Sequence, residues 1–206
     1  MRKRYCFLVP TVIGVVVLVG LLGWISNRER EPRYAGKKLS DWVQELTLNG
    51  LEADSRIKQA NEAIRQIGTN ALPHLVKWIA YEPPDWKMRL RRAAVHWPFE
   101  FGREWMTVDK KDRRAYGARL AFHVFGPEAA AAIPGLAKVA ANSSRKSGAA
   151  RAVGALGDIG PAALPTLVVV FTNQPQTTLG LGALYQIRHL GSNALPATSL
   201  LSRSAK

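Results

Sequence analysis

The sequence contains a single cysteine, Cys6, among its 206 residues. A chain with one cysteine cannot form an internal disulfide bond, and it cannot build a zinc site that needs two or more thiolates. Aromatic residues are also few, at 8% of the chain, whereas 47% of the residues are hydrophobic and 21% are charged. This balance excludes a disordered polar tract and a protein that crosses a membrane many times, and it predicts one compact domain.

Acidic residues are scarce, because 15 Asp and Glu stand against 29 Lys and Arg and give a formal net charge of +14. Such an excess predicts attraction to an anionic partner, whether lipid, polysaccharide, nucleic acid or an acidic protein. Asp158 is the only acid after residue 129. The C-terminal half therefore cannot supply the two carboxylates that general acid and base catalysis would use.

Residue patterns typical of enzymes are missing from the sequence, including nucleophile elbows, phosphate-binding loops and metal-binding pairs of His and Glu. Each histidine falls in a separate predicted helix, without a second His or an acid at the spacing of metal ligands. The four are His74, His96, His123 and His189. We therefore predict a protein that is not an enzyme and that has no catalytic residue, no cofactor and no metal ion.

An uncharged run of nineteen residues lies near the N-terminus, starting at Phe7 and stopping at Ile25. At about 1.5 Å per residue, a helix of this length crosses a hydrocarbon core roughly 30 Å thick. Pro10 falls in the first turn of such a helix, and Trp24 falls at the far end, where an indole suits the lipid headgroup region. A signal peptidase needs small residues one and three positions before its cut. A cut after Ser26 would place Trp24 at the third position, and a cut after Ala35 would place Arg33 there. We predict an uncleaved single-pass anchor, with a cleaved signal peptide as the alternative.

The charges that flank this run favour opposite orientations. The basic residues at positions 2–4 favour an N-terminus in the cytoplasm, as in a secretory signal, whereas five basic residues within positions 28–38 favour the reverse. We expect the signal-like order to prevail. Residues 1–26 are then a cytoplasmic tip and transmembrane anchor, residues 27–54 are a juxtamembrane linker with a first helix, and the domain that follows lies outside the cytoplasm.

A short fragment recurs beyond the linker. The sequence GTNALP at 68–73 returns as GPAALP at 160–165 and as GSNALP at 191–196, with a longer version, GPEAAAAIP, at 126–134. The last two glycines are 31 residues apart and the preceding pair are 34 apart. Periods of this length are typical of helical repeats.

Each copy of the fragment reads as a junction between two helices. The glycine is predicted to end one helix in a left-handed conformation, Asn70 or Asn193 to cap the next helix, and the proline to occupy its first turn. Apolar residues recur at helical spacing on both sides of each junction. The predicted buried residues are Ala60, Ala63, Ile64, Ile67, Leu72, Leu75, Val76 and Ile79; Ala115, Ala118, Phe122, Phe125, Ile133, Leu136 and Val139; Ala149, Ala152, Leu156, Ile159, Leu164, Leu167, Val168 and Phe171; and Leu179, Ala183, Ile187 and Leu190.

Paired helices of this kind must stack on neighbouring pairs to bury their apolar faces. We therefore predict an all-α protein in which a single transmembrane helix is followed by a short α-solenoid of helical hairpins over residues 55–206. An insertion at residues 85–111 interrupts the repeat spacing.

The recurring segments resemble the HEAT repeat family, and more closely the HEAT-like repeats of bacterial proteins and of phycobilisome lyase-related proteins. The resemblance covers about residues 55–202, and AARAVGALGDIGPAALPTL at 149–167 is its clearest copy. The segment YAGKKLSDWV at 34–43 also resembles one that precedes such repeats in membrane-anchored bacterial members. The resemblance implies a single-pass protein of the bacterial inner membrane. HEAT units commonly carry an Arg eleven residues before the glycine, but Ala149 and Gly180 stand there, so the polar ladder of the family is not expected.

The insertion holds the densest mixture of basic and aromatic residues. Such mixtures can hold nucleic acid, with charges on phosphates and rings on bases, whereas the alternative is a solvated basic face over an insertion that packs on the solenoid. Arg and Trp are also over-represented among residues that dominate protein interfaces. The candidate partner-binding residues are Arg89, Arg91, Arg92, Trp97, Trp105, Arg113 and Arg114.

Two functions remain open. The first is a membrane-tethered scaffold without enzymatic activity that binds a partner protein through its repeat surface. The second is a basic solenoid that binds nucleic acid, like the HEAT-like alkylpurine DNA glycosylases, or anionic lipid. A domain outside the cytoplasm disfavours nucleic acid and makes anionic lipid or an envelope polymer the natural charge partner. The resemblance alone suggests a chromophore-lyase role, and no residue pattern identifies a bilin site.

Overall fold

The structure is a computed structural model, and it describes residues 31–48, 53–95, 109–142 and 146–191. The predicted membrane anchor at residues 7–25 and the last predicted junction, with Asn193, lie outside the described residues. Pro32 begins the compact unit to which all the elements below belong.

The described residues are mostly helical, so the all-α prediction is confirmed at this level. The helices are α1 (Leu39–Glu45), α2 (Ala53–Ile67), α3 (Leu72–Ile79), α4 (Asp85–Val95), α5 (Lys110–Phe125), α6 (Ile133–Ala140), α7 (Lys146–Ile159), α8 (Leu164–Asn173) and α9 (Thr178–His189). Short 3-10 turns at Gly68–Ala71, Gly126–Ala132 and Pro161–Ala163 join α2 to α3, α5 to α6 and α7 to α8.

A small β-hairpin precedes α1 and was not expected from the sequence. Strand β1 (Arg33–Tyr34) pairs antiparallel with strand β2 (Lys37–Lys38). Ala35 and Gly36 between them have φ values of 47° and 78°, the signs that a two-residue hairpin turn requires. The indole Nε1 of Trp42 on α1 donates a hydrogen bond to the carbonyl oxygen of Tyr34 at 3.2 Å, which ties the hairpin to the helix.

The glycines of the junctions have the predicted positive φ, but at two of them ψ differs from the predicted left-handed helical value. The φ values are positive at Gly68, Gly126, Gly160 and Gly191, at 68°, 53°, 94° and 57°. At Gly126 and Gly160, however, ψ is −130° and −149°, far from the left-handed helical region near ψ of about +47°. Both residues thus lie close to an extended region of positive φ that is essentially limited to glycine.

The prediction that Asn70 caps α3 is wrong. Ala71 precedes the first residue of α3, and no side chain caps that helix. The chain enters α3 from a 3-10 turn, in which the amide of Leu72 already bonds to the carbonyl oxygen of Thr69. A side-chain acceptor is therefore not needed there. The predicted prolines in the first helical turn are confirmed in α3, α6 and α8.

The predicted apolar faces are buried in one continuous core. Every predicted residue of α2, α5 and α7 is buried, as are most of those on α3 and α8. The remaining ones pack against the core while partly exposed: Val76, Ile133, Val139, Phe171, Leu179 and Leu190. Helical spacing therefore identified the core-facing side of each helix.

The helices repeat one packing relationship. α7 lies between α5 and α9 and packs against both of them. The helices that follow the glycine turns, α3, α6 and α8, pack against α5, α7 and α9 respectively. At the other end, α1 packs against α2 and α5.

One helical stretch among the described residues, Lys110–Ala140, is long and apolar enough to cross a membrane by length and composition. It comprises α5, the turn at Gly126 and α6. Phe122 and Leu136 within it have no exposed surface, because they belong to the core. Part of its apolar surface is therefore packed inside the compact unit.

Candidate anion-binding surface

A cleft of about 450 Å³ opens between the end of α3 and the start of α5. Its walls carry three basic side chains, from Lys77, Lys111 and Arg114, two aromatic ones, from Trp78 and Tyr81, and one acidic residue, Glu82. We call this site the basic cleft. Its volume lies within the range of about 300–1,000 Å³ that is common for ligand sites.

Cations lie over the aromatic rings of the cleft. The guanidinium carbon of Arg114 is 4.9 Å from the ring centre of Trp78, a residue that is only 9% exposed. Lys111 Nζ is 6.0 Å from the ring centre of Tyr81. Arg114 Nε is buried and has no hydrogen-bond partner. Stacking on a packed indole restricts the guanidinium, so its remaining donors are held in place beside the cleft.

The carboxylate of Asp109 accepts hydrogen bonds from three neighbouring donors. It caps α5 by accepting a hydrogen bond from the amide of Lys111 at 3.0 Å, and it also accepts from the Tyr81 hydroxyl at 2.8 Å and from Lys87 Nζ at 3.0 Å. Burial alone would raise the pKa of Asp109, but these donors outweigh it and lower the pKa. Burial and the nearby Asp109 carboxylate raise the pKa of Tyr81 to about 12, so the phenol keeps its proton.

Glu82 is occupied in the same way. Its carboxylate accepts hydrogen bonds of 3.0–3.1 Å from the amides of Ser147 and Gly148, in the first turn of α7. Burial alone would raise the pKa of Glu82, but these amide hydrogen bonds outweigh it and lower the pKa. The carboxylate therefore serves as a cap for the start of α7.

Arg151 binds the third nearby carboxylate. Its Nη1 lies 3.1 Å from Asp112 Oδ1, and its other donors bond to the carbonyl oxygens of Ile79 and Tyr81. Burial lowers the pKa of Arg151, and Asp112 and Glu82 partly offset that effect. One side chain thus joins α7, α5 and the end of α3.

The nearby carboxylates are not paired with the three cations of the basic cleft. Asp109, Glu82 and Asp112 are all bound to groups of the framework. In the described part of the chain, no carboxylate lies within ion-pair distance of Lys77, Lys111 or Arg114. Three cations thus line the cleft against the single carboxylate of Glu82, so the cleft has a net positive charge that an external anion can neutralise.

Two of the predicted binding residues lie on α5. Arg113 is exposed, and Arg114 is partly buried and lines the basic cleft. The predicted aromatic anchors, Trp97 and Trp105, lie outside the described residues. The structure therefore brings Arg114 into a site, but with partners other than those expected.

The other predicted residues belong to α4. Arg89 and Arg92 are exposed, and the side chain of Arg91 lies outside the described part. Trp86 and Leu90 on the same helix are 62% and 39% exposed. This part of the insertion has a solvated basic and aromatic surface, and its Lys87 is already paired with Asp109 at 3.0 Å.

Sequence reasoning missed the α3 side of the cleft. Lys77, Trp78 and Tyr81 precede the insertion, and α3 was assigned only a role in the core. The available signal was an aromatic pair, Trp78 and Tyr81, that follows Lys77 within the six residues before Pro83. Helix packing alone brings these residues to Lys111 and Arg114.

The structure also pairs a histidine that stands alone in the sequence. His123 Nδ1 lies 3.3 Å from Asp158 Oδ1, and Arg119 Nη2 lies 3.4 Å from the other oxygen of that carboxylate. The imidazole is 80% exposed. Across the described ranges, no three His, Cys, Asp or Glu side chains come together as a metal site requires.

A second exposed surface lies on α9. A groove of about 520 Å³ is lined by Leu181, Leu184, Tyr185, Arg188 and His189, and we call it the outer groove. Leu181 is 55% exposed and Tyr185 is 64% exposed. Large apolar side chains grouped at this exposure are typical of a surface that receives another molecule.

Comparisons of this chain with protein-family models, with curated proteins and with solved structures give no match.

Proposed function

We propose that this protein is a scaffold without enzymatic activity, anchored in the bacterial inner membrane by residues 7–25. Its helices form a short HEAT-like α-solenoid outside the cytoplasm, and the solenoid binds a partner protein. The observation that carries this proposal is the outer groove of α9. Its position in the repeated packing matches the face of α7 that α9 covers.

The match follows from the 31-residue spacing of Gly160 and Gly191. On α7, Val153 and Gly157 face α9: a Cβ atom on Gly157 would meet the side chain of Gln186. The positions 31 residues later are Leu184 and Arg188, and both line the outer groove. Equivalent positions of stacked repeats face equivalent neighbours. The outer groove is therefore suited to an α-helix of a partner.

Site-specific photocrosslinking in living cells tests this proposal. A photoreactive phenylalanine derivative replaces Tyr185 in the outer groove or, as a matched control, Tyr116 on α5, which is 49% exposed. We expect an adduct with another protein from position 185 and none from position 116. Leu181→Asp, an exposed change that leaves the core intact, should abolish that adduct. Equal adducts at both positions, or an adduct insensitive to Leu181→Asp, would contradict the proposal.

The basic cleft favours a second candidate function, which is binding of an anionic lipid or of nucleic acid. Lys77, Lys111 and Arg114 have no carboxylate partner among the described residues, and two aromatic rings adjoin them. Binding to nucleic acid should weaken steeply with salt because counterions are released. Titration of the full chain with single-stranded oligonucleotides over a range of salt concentrations tests it. Absence of saturable binding at low salt would remove nucleic acid from consideration.

A further inference from the structure

We propose that the basic cleft is a binding site for a phosphate group, carried either by a small phosphate compound or by a lipid headgroup. The proposal goes beyond the protein-binding scaffold and is independent of it, because the cleft and the outer groove share no residue. It also narrows the second candidate function to one ligand chemistry.

The first argument is the arrangement of charge. Framework donors hold the carboxylates of Glu82, which lines the cleft, and of Asp109, which binds Tyr81, at hydrogen-bond distances of 2.8–3.1 Å. Those carboxylates cannot move to Lys77, Lys111 or Arg114 without breaking these bonds. The three cations outnumber the one carboxylate that lines the cavity, so an anion that enters the cavity relieves the repulsion that remains among them.

The second argument is the chemistry of the hydrogen-bond donors and how rigidly each one is positioned. The Arg114 guanidinium is fixed over Trp78 at 4.9 Å and offers a planar fork, which suits two oxygens of one anion. Lys77 and Lys111 are exposed lysines on flexible stems, and they can close on further oxygens. A phosphate monoester has three free oxygens and a charge of about −1.5 to −2 near neutral pH, so it can engage all three cations. A carboxylate has two oxygens and one charge and would leave one cation unpaired.

The third argument is the size and lining of the cavity. A volume of about 450 Å³ exceeds what a phosphate group fills, and Trp78 and Tyr81 form an apolar wall beside it. The additional space can hold the organic part of a phosphate compound against the aromatic rings. Because burial and Asp109 raise the pKa of Tyr81 to about 12, its hydroxyl stays neutral and adds no negative charge to the site.

Titration of the full chain in a neutral detergent tests the proposal at constant ionic strength. The probes are inorganic phosphate, short-chain phosphatidic acid, whose headgroup is a phosphate monoester, and short-chain phosphatidylcholine as the zwitterionic control. Calorimetry reports the affinity, and the thermal midpoint reports stabilisation of the folded state by the bound ligand. We expect saturable binding of inorganic phosphate and an upward shift of the midpoint.

Single-charge variants locate the site. Lys77→Gln and Lys111→Gln change exposed side chains and leave the core intact, and each should weaken phosphate binding about tenfold by removing one charged donor. Lys138→Gln is the matched control, since Lys138 is an exposed lysine on α6 that does not line the cleft. Arg114→Lys keeps the charge but removes the planar fork, and it should weaken binding as well.

Each outcome of the titrations either supports or overturns the phosphate site. Binding of inorganic phosphate that the cleft variants weaken and Lys138→Gln does not supports a site for small phosphate compounds. Binding of phosphatidic acid alone, with the same pattern among variants, supports the lipid headgroup as the source of the phosphate. Absence of saturable binding, or equal weakening by Lys138→Gln, overturns the proposal. None of these results depends on whether position 185 crosslinks to a partner protein.

Discussion

The side chain of Arg151 joins the helices around the basic cleft. The Arg151 side chain is 11% exposed and binds Asp112 together with two carbonyl oxygens from the end of α3. It stands nine residues before Gly160, whereas the resemblance to HEAT repeats placed the family arginine eleven residues before the glycine. A polar link between neighbouring helix pairs therefore exists in this chain, but at a position that the family pattern does not indicate.

At the scale of single residues, the lowered pKa of Glu82 predicts a dependence of stability on pH. A carboxylate whose pKa is lower in the folded state contributes stability above its unfolded pKa, and this contribution is lost as the pH falls through the folded pKa. The ordinary value is 4.5, so the loss lies in the acid range from pH 4.5 downward. Glu82→Gln should lower the free energy of unfolding near neutral pH by about 1 kcal/mol, since solvent screens this partly exposed group.

The measurement is urea unfolding of both proteins from neutral to acid pH. The difference between the wild-type protein and Glu82→Gln should shrink as the pH falls through this range. Glu62→Gln is the control, because Glu62 is exposed and contacts Gln66 on its own helix. A difference that stays constant down to acid pH would show that the Glu82 charge contributes nothing to the start of α7.

At the scale of elements, glycines inside helices set how closely neighbouring helices approach. A Cβ atom on Gly117 of α5 would clash with the backbone carbonyl of Val43 on α1 and would lie 3.3 Å from Thr47 Cγ2. A Cβ atom on Gly182 of α9 would make ordinary contact with Val153 at 3.9 Å. Glycine in a helix costs about 1 kcal/mol relative to alanine, so its presence at position 117 reflects packing rather than propensity.

We therefore expect opposite effects from the same substitution at these two positions. Gly117→Ala should lower the free energy of unfolding by about 2 kcal/mol, because α1 must move away from α5. Gly182→Ala should raise it by up to about 1 kcal/mol, because the new methyl group fits. Thermal unfolding followed by circular dichroism distinguishes the two. A shift of the midpoint in the same direction for both variants would be inconsistent with this account of helix packing.

At the scale of the whole molecule, the prediction concerns the side of the membrane on which the helical unit lies. The basic residues at positions 2–4 oppose those within positions 28–38, and we expect the signal-like order to prevail. A reporter that is active only outside the cytoplasm, fused after Lys206, should be active. A reporter that fluoresces only inside should stay dark at the same position. The reverse result would place the basic cleft on the inner leaflet, beside nucleic acid and anionic lipid.

Local sequence patterns anticipated much of the helical architecture. Prolines at the start of α3, α6 and α8, and glycines with positive φ before them, were predicted because each depends on the conformation of one or two residues. The capping role of Asn70 was wrong for a related reason. Whether a side chain caps a helix depends on the backbone bonds of the preceding turn, which residue type alone does not specify.

The candidate site depended on contacts between distant parts of the chain. Lys77 and Lys111 line one cleft although 34 positions separate them, and His123 meets Asp158 across 35 positions. Arg114 was named as a binding residue from local charge density, but its place over Trp78 follows from the packing of α3 against α5. Charge density along the chain does not reveal which cations share a cavity.

The sequence by itself determined the helices on both sides of the glycine junctions, the apolar face of those helices and the turns between them, because those properties follow from side-chain periodicity and backbone preference. Only the tertiary structure decided which carboxylates are bound to the framework and which cations lack a carboxylate partner among the described residues. It also decided that the outer groove of α9 repeats the position of a helix-covered face on α7. Both depend on how helices far apart in sequence approach one another, and that approach is set by close packing at residues such as Gly117 and Gly157.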